Sequence, residues 1–112
     1  MEETNETKDK YTLRVRGNSV DGKPPTNPKG LARSILHVFE ENPYGYVKIE
    51  SVGPRALDIT MAAYRIAQEM FSKRTTDFVL VVRQSEYTAE VNGSPTRGVC
   101  TRIHPIPIAY AK

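Results

Sequence analysis

The chain has 112 residues, of which 38% are hydrophobic and 26% charged, and its formal net charge is +3. This length fits one small domain around a single core, and the composition is that of an ordinary globular protein. The single cysteine, Cys100, excludes an internal disulfide, and His37 and His104 do not give it the spacing of a zinc site. We therefore expect a reducing compartment, no metal and no cofactor.

Residues 1–10 form an acidic, polar tail that we expect to be disordered. The tail holds four acidic and two basic residues, so the remaining chain carries a net charge of +5. It contains no apolar segment of the kind found in secretion signals, and no part of the chain approaches the ~18 apolar residues of a membrane span. We expect a cytoplasmic protein that has no membrane partner and can have an anionic one.

The chain then begins with a strand, a loop and a helix. Residues 11–16 alternate between apolar and polar side chains and predict a half-buried strand with a basic outer face. Residues 17–26 hold two Gly, two Pro and two Asn or Asp residues and predict a loop. Apolar residues recur at helical spacing over residues 28–41 and predict the first helix.

A second strand and helix follow. Residues 46–52 alternate as a strand, and Gly53 and Pro54 introduce a helix over residues 55–73. The apolar arc of this helix covers about half of its circumference, which is more than one sheet contact requires. Part of the arc should therefore contact the first helix or a second subunit.

The last part of the domain predicts a long β-hairpin. Residues 78–82 are continuously apolar and predict a strand that is central or paired, and it continues to residue 91. A turn at 92–95 leads into a returning strand over 96–103, and the tip should project beyond the sheet. Residues 104–110 carry prolines at alternate positions, so they can lie along the sheet but not as a central strand.

This element order predicts an α/β fold, specifically an α+β two-layer sandwich with two helices on one face of a four-stranded mixed sheet. A right-handed crossover brings both strand-to-helix loops to the same end, so Lys29 and Arg55 should lie near each other. The opposite face of the sheet is basic and is either solvated or covered by a partner. Its basic residues are Arg14, Arg16, Lys48 and Arg102.

The start of the first helix carries a charge that its dipole disfavours. Asn27 is a good N-cap and Pro28 suits the first helical position, but Lys29 then places a cation at the positive end of the dipole, a cost of roughly 0.3–1 kcal/mol. Free N–H groups at this start, the small Gly30 and the similar start at Arg55 would together seat phosphate oxygens. The alternative, which the residues alone favour, is an ordinary capped helix with Lys29 in water.

Two other features could bind nucleic acid. Arg83, Arg97 and Arg102 lie on the hairpin, which could contact a duplex backbone as a basic arm or simply be solvated. Tyr44 and Tyr46 could stack on single-stranded bases, although such tyrosines more often cover the edge of a core.

An enzyme is not expected. Cys100 and His104 lie on one strand about 13 Å apart, too far for a nucleophile and its base. No other set of residues combines a nucleophile, a base and oxyanion donors, and no small-molecule substrate is evident.

The element order and two segments resemble a known family. Residues 46–67, YVKIESVGPRALDITMAAYRIA, and residues 90–99, EVNGSPTRGV, are similar to the stage V sporulation protein S family and its relatives, the Alba chromatin and RNA-binding proteins. The most specific part is the turn SVGPRAL between the second strand and the alanine-rich second helix.

The resemblance implies an Alba-like domain over residues 11–104, and we expect its Pro-rich continuation at 105–112 to be an extended segment. It implies a homodimer that binds DNA or RNA through phosphate contacts with little sequence preference, associated with the nucleoid or, in a eukaryote, the nucleus. A regulatory role in sporulation or development would follow. The alternative is a dimeric regulatory module that acts through protein–protein contacts.

The resemblance also indicates which residues bind. By position it points to the cations at the two helix starts and on the hairpin arm, and their neighbours complete the expected site. The expected nucleic-acid-binding residues are Lys29, Gly30, Arg33, Arg55, Arg97 and Arg83.

Overall fold

The structure is a computed structural model that describes residues 11–18, 22–42 and 45–108. The predicted acidic tail, Tyr44 and the last four residues of the predicted C-terminal segment lie outside the described residues. The elements in chain order are β1 Thr12–Val15, α1 Pro28–Glu41, β2 Val47–Ser51, α2 Pro54–Arg74, β3 Phe78–Val91 and β4 Ser94–Pro107.

The four strands form one mixed sheet in the order β1-β2-β4-β3. β1 runs parallel to β2, whereas β4 is antiparallel to both of its neighbours. The two helices pack together as a second layer, which confirms the predicted α/β two-layer fold. Within the described ranges, no helix is both long and apolar enough to cross a membrane.

The core lies between the helices and one face of the sheet. Ile35 of α1, Val47 and Ile49 of β2, and Ile103 of β4 are all fully buried. The ring centroids of Phe39 in α1 and Phe71 in α2 are 6.3 Å apart, in an edge-to-face arrangement. The wide apolar arc of α2 therefore contacts α1. This is one of the two expected contacts, the other being a second subunit.

The bounds of α1 are those predicted from its apolar spacing, and α2 is one residue longer at each end. The hairpin differs more from the prediction. Its turn consists of Asn92 and Gly93 alone, both with positive φ, 51° and 79°. Positive φ at both positions is the backbone conformation that a two-residue hairpin turn requires. Because the turn is so short, Ser94 and Pro95 already lie opposite residues of β3.

β4 also continues past the predicted end at residue 103. Pro105 and Pro107 lie opposite Leu80 and Phe78 of β3, while the pairing with β2 stops at Ile103. A proline has no N–H to donate, so it fits a strand that is paired on one side only. The Pro-rich segment thus lies along the sheet as predicted, and up to Pro107 it is part of β4.

Side chains of α2 bind the backbone of Leu80, the residue of β3 that lies opposite Pro105. The Leu80 N–H donates to the Gln68 side-chain oxygen at 3.1 Å, and the Tyr64 hydroxyl donates to the Leu80 carbonyl at 2.9 Å. Both polar groups of Leu80 therefore point away from Pro105. The missing N–H of Pro105 leaves no group of β3 unpaired at this position.

The topology gathers several elements at one end of the sheet. β1 and β2 are parallel and each leads into a helix, so both helices start at the end where these two strands stop, here called the helix-start end. Ser51, the last residue of β2, lies opposite Val99 of β4. The five residues 94–98 and their partners in β3 extend past that point, which carries the hairpin tip roughly 16 Å beyond β2.

Candidate nucleic-acid interface

The loop between β1 and α1 is held closed at its base. The Arg16 N–H donates to the Thr26 hydroxyl at 2.8 Å, and the Thr26 N–H donates to the Arg16 carbonyl at 2.9 Å. These bonds fix the residue just before the N-cap of α1 against the end of β1.

The same loop lies against the start of α2. A Cβ added at Gly17 would be only 2.7 Å from the backbone nitrogen of Ala56 and 3.0 Å from the Cβ of Arg55. Only glycine allows so close an approach. The loop therefore contacts both helix starts directly. This agrees with the prediction that both helices begin at the same end of the sheet.

Arg55 is oriented by this loop. Its Nη1 donates to the Asn18 side-chain oxygen at 3.0 Å, and Arg55 is exposed. Asn18 is neutral, so it positions the guanidinium without cancelling its charge. Among the described residues, Arg55 has no acidic partner.

The start of α1 corrects one expectation. The Asn27 side-chain oxygen accepts from the Lys29 N–H at 2.8 Å and from the Gly30 N–H at 3.4 Å. The prediction of free N–H groups at this start was therefore wrong, because the N-cap already uses them. The preference of asparagine for this position was the signal in the sequence.

The Lys29 side chain is still available for binding. Lys29 is exposed, and within the described part of the chain no acidic group pairs with its ammonium. At the start of α2, by contrast, the N-cap Gly53 has no side chain to accept from the first turn. The two helix starts thus differ: α1 offers a charge, and α2 offers a charge together with an uncapped first turn.

Arg97 extends from the projecting part of the hairpin. It alternates with Gly98 and so shares the sheet face of Val99 and Thr101, the face that the helices cover. The nearest acid is Glu86, with 3.9 Å between Nη1 and Oε2, and the two side chains are 87% and 73% exposed. An ion pair this exposed contributes little and can be exchanged for another anion.

The other two predicted cations lie elsewhere. Arg33 is exposed and lies along α1, where it borders a surface groove with His37, Glu40 and Arg74. Glu40 pairs with Arg74 at 3.4 Å, so this surface has mixed charge. Arg83 lies directly opposite Arg102 on the outer face of the sheet, away from the helices.

The structure thus brings Lys29, Gly30, Arg55 and Arg97 to the helix-start end and does not bring Arg33 or Arg83 there. Sequence reasoning missed Asn18 and Thr26, which hold the loop in place. Polar loop residues of this kind are too common for their sequence to single them out. Within the described ranges, no three His, Cys, Asp or Glu side chains are grouped so that they could hold a metal ion.

The architecture can be compared with known proteins only at the level of the fold. A β-α-β-α-β-β order with a mixed four-stranded sheet and two helices is compatible with an Alba-like fold. Comparisons with protein-family models and with curated proteins find no match to this chain.

Proposed function

We propose that this chain is a non-enzymatic nucleic-acid-binding protein that contacts the phosphate backbone of DNA or RNA with little sequence preference. The observation that carries the proposal is the set of cations at the helix-start end. In the described part of the chain Lys29 and Arg55 stand there without acidic partners, and the acidic partner of Arg97 on the hairpin is exposed.

The physical basis is electrostatic. Each phosphate that a lysine or arginine neutralises releases condensed counterions, and this term supplies most non-specific affinity for nucleic acids. The backbone at Lys29 is fixed by the N-cap and the loop contacts, and the Arg55 guanidinium is oriented by Asn18, so the backbone needs little reordering on binding. The hairpin arm adds a cation at some distance from them, which suits a ligand as long as a nucleic acid.

Two further parts of the proposal concern the dimer and the biological role. Alba-like proteins act as homodimers, and a dimer would double the number of phosphate contacts. A regulatory role in sporulation or development rests on the resemblance of residues 46–67 and 90–99 alone.

Charge-neutralising variants test the proposal. Titration of a fluorescent DNA duplex over a salt series measures how steeply log K falls with log salt concentration. Lys29→Gln and Arg97→Gln should each reduce that slope by about 0.9 if each cation contacts one phosphate. Arg65→Gln is the matched control, because Arg65 is exposed in the middle of α2 and, among the described residues, has no ionic partner.

An unchanged slope in both Lys29→Gln and Arg97→Gln would contradict the proposed contacts. Absence of any duplex binding, together with recovery of a stable protein complex, would favour the alternative of a protein–protein module.

A further inference from the structure

The outer face of the sheet carries a row of like charges. Lys48 of β2 lies opposite Arg102 of β4, and Arg102 lies opposite Arg83 of β3. Lys48 and Arg102 alternate with buried residues, and Arg83 lies opposite Arg102, so all three point away from the helices. We call these three residues the cation row.

Such a row is unfavourable for the free protein. Directly opposite residues on one sheet face have Cβ atoms about 4.5–5.5 Å apart, and like charges at that distance repel. Among the described residues no acid pairs with any of the three. Glu50, which lies on this face of β2, accepts from Arg14 at 3.1 Å and is thereby neutralised.

An aromatic residue stands beside the cation row. Tyr46 is 47% exposed, and the guanidinium carbon of Arg102 lies 5.8 Å from the centre of its ring. The contact keeps a planar cation and an aromatic ring together at the surface.

The side chains of Tyr46, Arg83 and Arg102 line an open depression. It has a volume of about 370 Å³, and the described residues that line it include no acid. Its lining residues are Gly45, Tyr46, Arg83, Arg102, His104 and Pro105.

We propose that this face binds a single-stranded segment of RNA or DNA, with phosphates on the cation row and an unpaired base stacked beside Tyr46 and Arg102. Single strands expose the flat faces of their bases, which stack on aromatic rings and on guanidinium planes. A duplex keeps those base faces covered. The depression is of a size that holds a small ligand such as one nucleotide.

This surface goes beyond the proposed function, because it uses other residues and another form of nucleic acid. It also gives a role to Arg83, which lies outside the helix-start end. Failure of one proposal can be distinguished from failure of the other. Duplex binding by the Lys29 and Arg97 variants tests the helix-start end, and single-strand binding by the Arg83 and Arg102 variants tests the cation row.

The test is a titration of fluorescent oligo-U and oligo-dT with the full chain. Arg83→Gln and Arg102→Gln should each reduce the salt slope by about 0.7, the value for one single-strand phosphate contact. Arg65→Gln should leave it unchanged. None of these substitutions should alter the salt slope for the duplex.

Variants of Tyr46 isolate the stacked base. Tyr46→Ala should weaken oligonucleotide binding about 5- to 150-fold, whereas Tyr46→Phe, which keeps the ring, should bind like the wild type. Inorganic polyphosphate, which has charge but no bases, should bind the wild type and Tyr46→Ala equally.

Three results would overturn the proposal. The first is no single-strand binding by the wild type. The second is equal salt slopes for the wild type, Arg83→Gln and Arg102→Gln. The third is a loss of self-association in Arg102→Gln without any change in oligonucleotide affinity, which would assign this face to a second copy of the chain.

Discussion

At the scale of single residues, a buried pair of hydroxyls fixes the start of α2 to the sheet. Ser51 and Thr60 are buried, and their side-chain oxygens lie 2.7 Å apart. Because the Thr60 hydroxyl donates to the Ala56 carbonyl at 3.0 Å, Ser51 must be the donor to Thr60. The two bonds connect the last residue of β2 to the first turns of α2.

We therefore expect Thr60→Val to destabilise the protein by about 1–3 kcal/mol, because the Ser51 hydroxyl is left buried without an acceptor. Urea denaturation followed by circular dichroism would measure the free energy of unfolding. The double variant Ser51→Ala with Thr60→Val is the control and should recover part of the loss. A single variant as stable as the wild type would show that the pair contributes nothing.

Tyr87 is a second residue whose environment can be measured. Its side chain lies over Gly98 on the outer face of the sheet. Burial raises the pKa of Tyr87 above the ordinary value of 10.0, and Glu50 adds to this effect while Arg14 opposes it. The neutral phenol is thus the form that the folded state favours.

The sign of the pH dependence follows from the raised pKa. The stability that Tyr87 contributes is fully present below pH 10, and it is lost as the pH rises through the pKa in the folded state, because the unfolded chain ionises first. Absorbance at the tyrosinate band should show one tyrosine titrating late, and Tyr87→Phe should lack that step. A wild type and variant with the same titration curve would contradict this assignment.

At the scale of elements, the loop between β1 and α1 determines how the two helix starts are placed. Its base is closed by Arg16 and Thr26, and Gly17 packs on the first turn of α2. A side chain at Gly17 would separate these elements. The loop therefore links stability to the geometry of the candidate interface.

Gly17→Ala should lower the free energy of unfolding by about 1–3 kcal/mol, the usual cost of forcing a methyl group into a filled space. It should also weaken duplex binding by displacing Arg55. Gly30→Ala is the matched control: the nearest atom to an added Cβ there is 3.9 Å away, and alanine favours a helix over glycine by about 1 kcal/mol. If both variants unfold at the same denaturant concentration, the close approach at Gly17 does not matter.

The elements also show which features a sequence can predict. The N-cap Asn27, Pro28 and the apolar spacing are local signals, and they predicted both ends of α1. The extension of β4 through Pro107 depends on pairing with β3 on one side only, and no local pattern reports which side of a strand is paired. Strand alternation placed Lys48 and Arg102 on the outer face, but only the register between strands reveals that they are direct neighbours.

At the scale of the whole molecule, the sheet separates two basic surfaces. One is the helix-start end, where Lys29, Arg55 and Arg97 lie, and the other is the outer face with the cation row. The sequence predicted the first surface because helix starts follow from element order. It predicted only the basic character of the second, since the depression beside Tyr46 forms only when three strands are paired.

The central claim is that the helix-start end binds nucleic acid through its phosphates. Its most direct test is the affinity of the wild-type protein for a duplex without sequence preference, measured from about 50 to 200 mM salt. If Lys29, Arg55 and Arg97 each contact one phosphate, log K should fall with log salt concentration with a slope of about −2.7, or more steeply for a dimer. A slope near zero, or no saturable binding at micromolar protein, would contradict the claim.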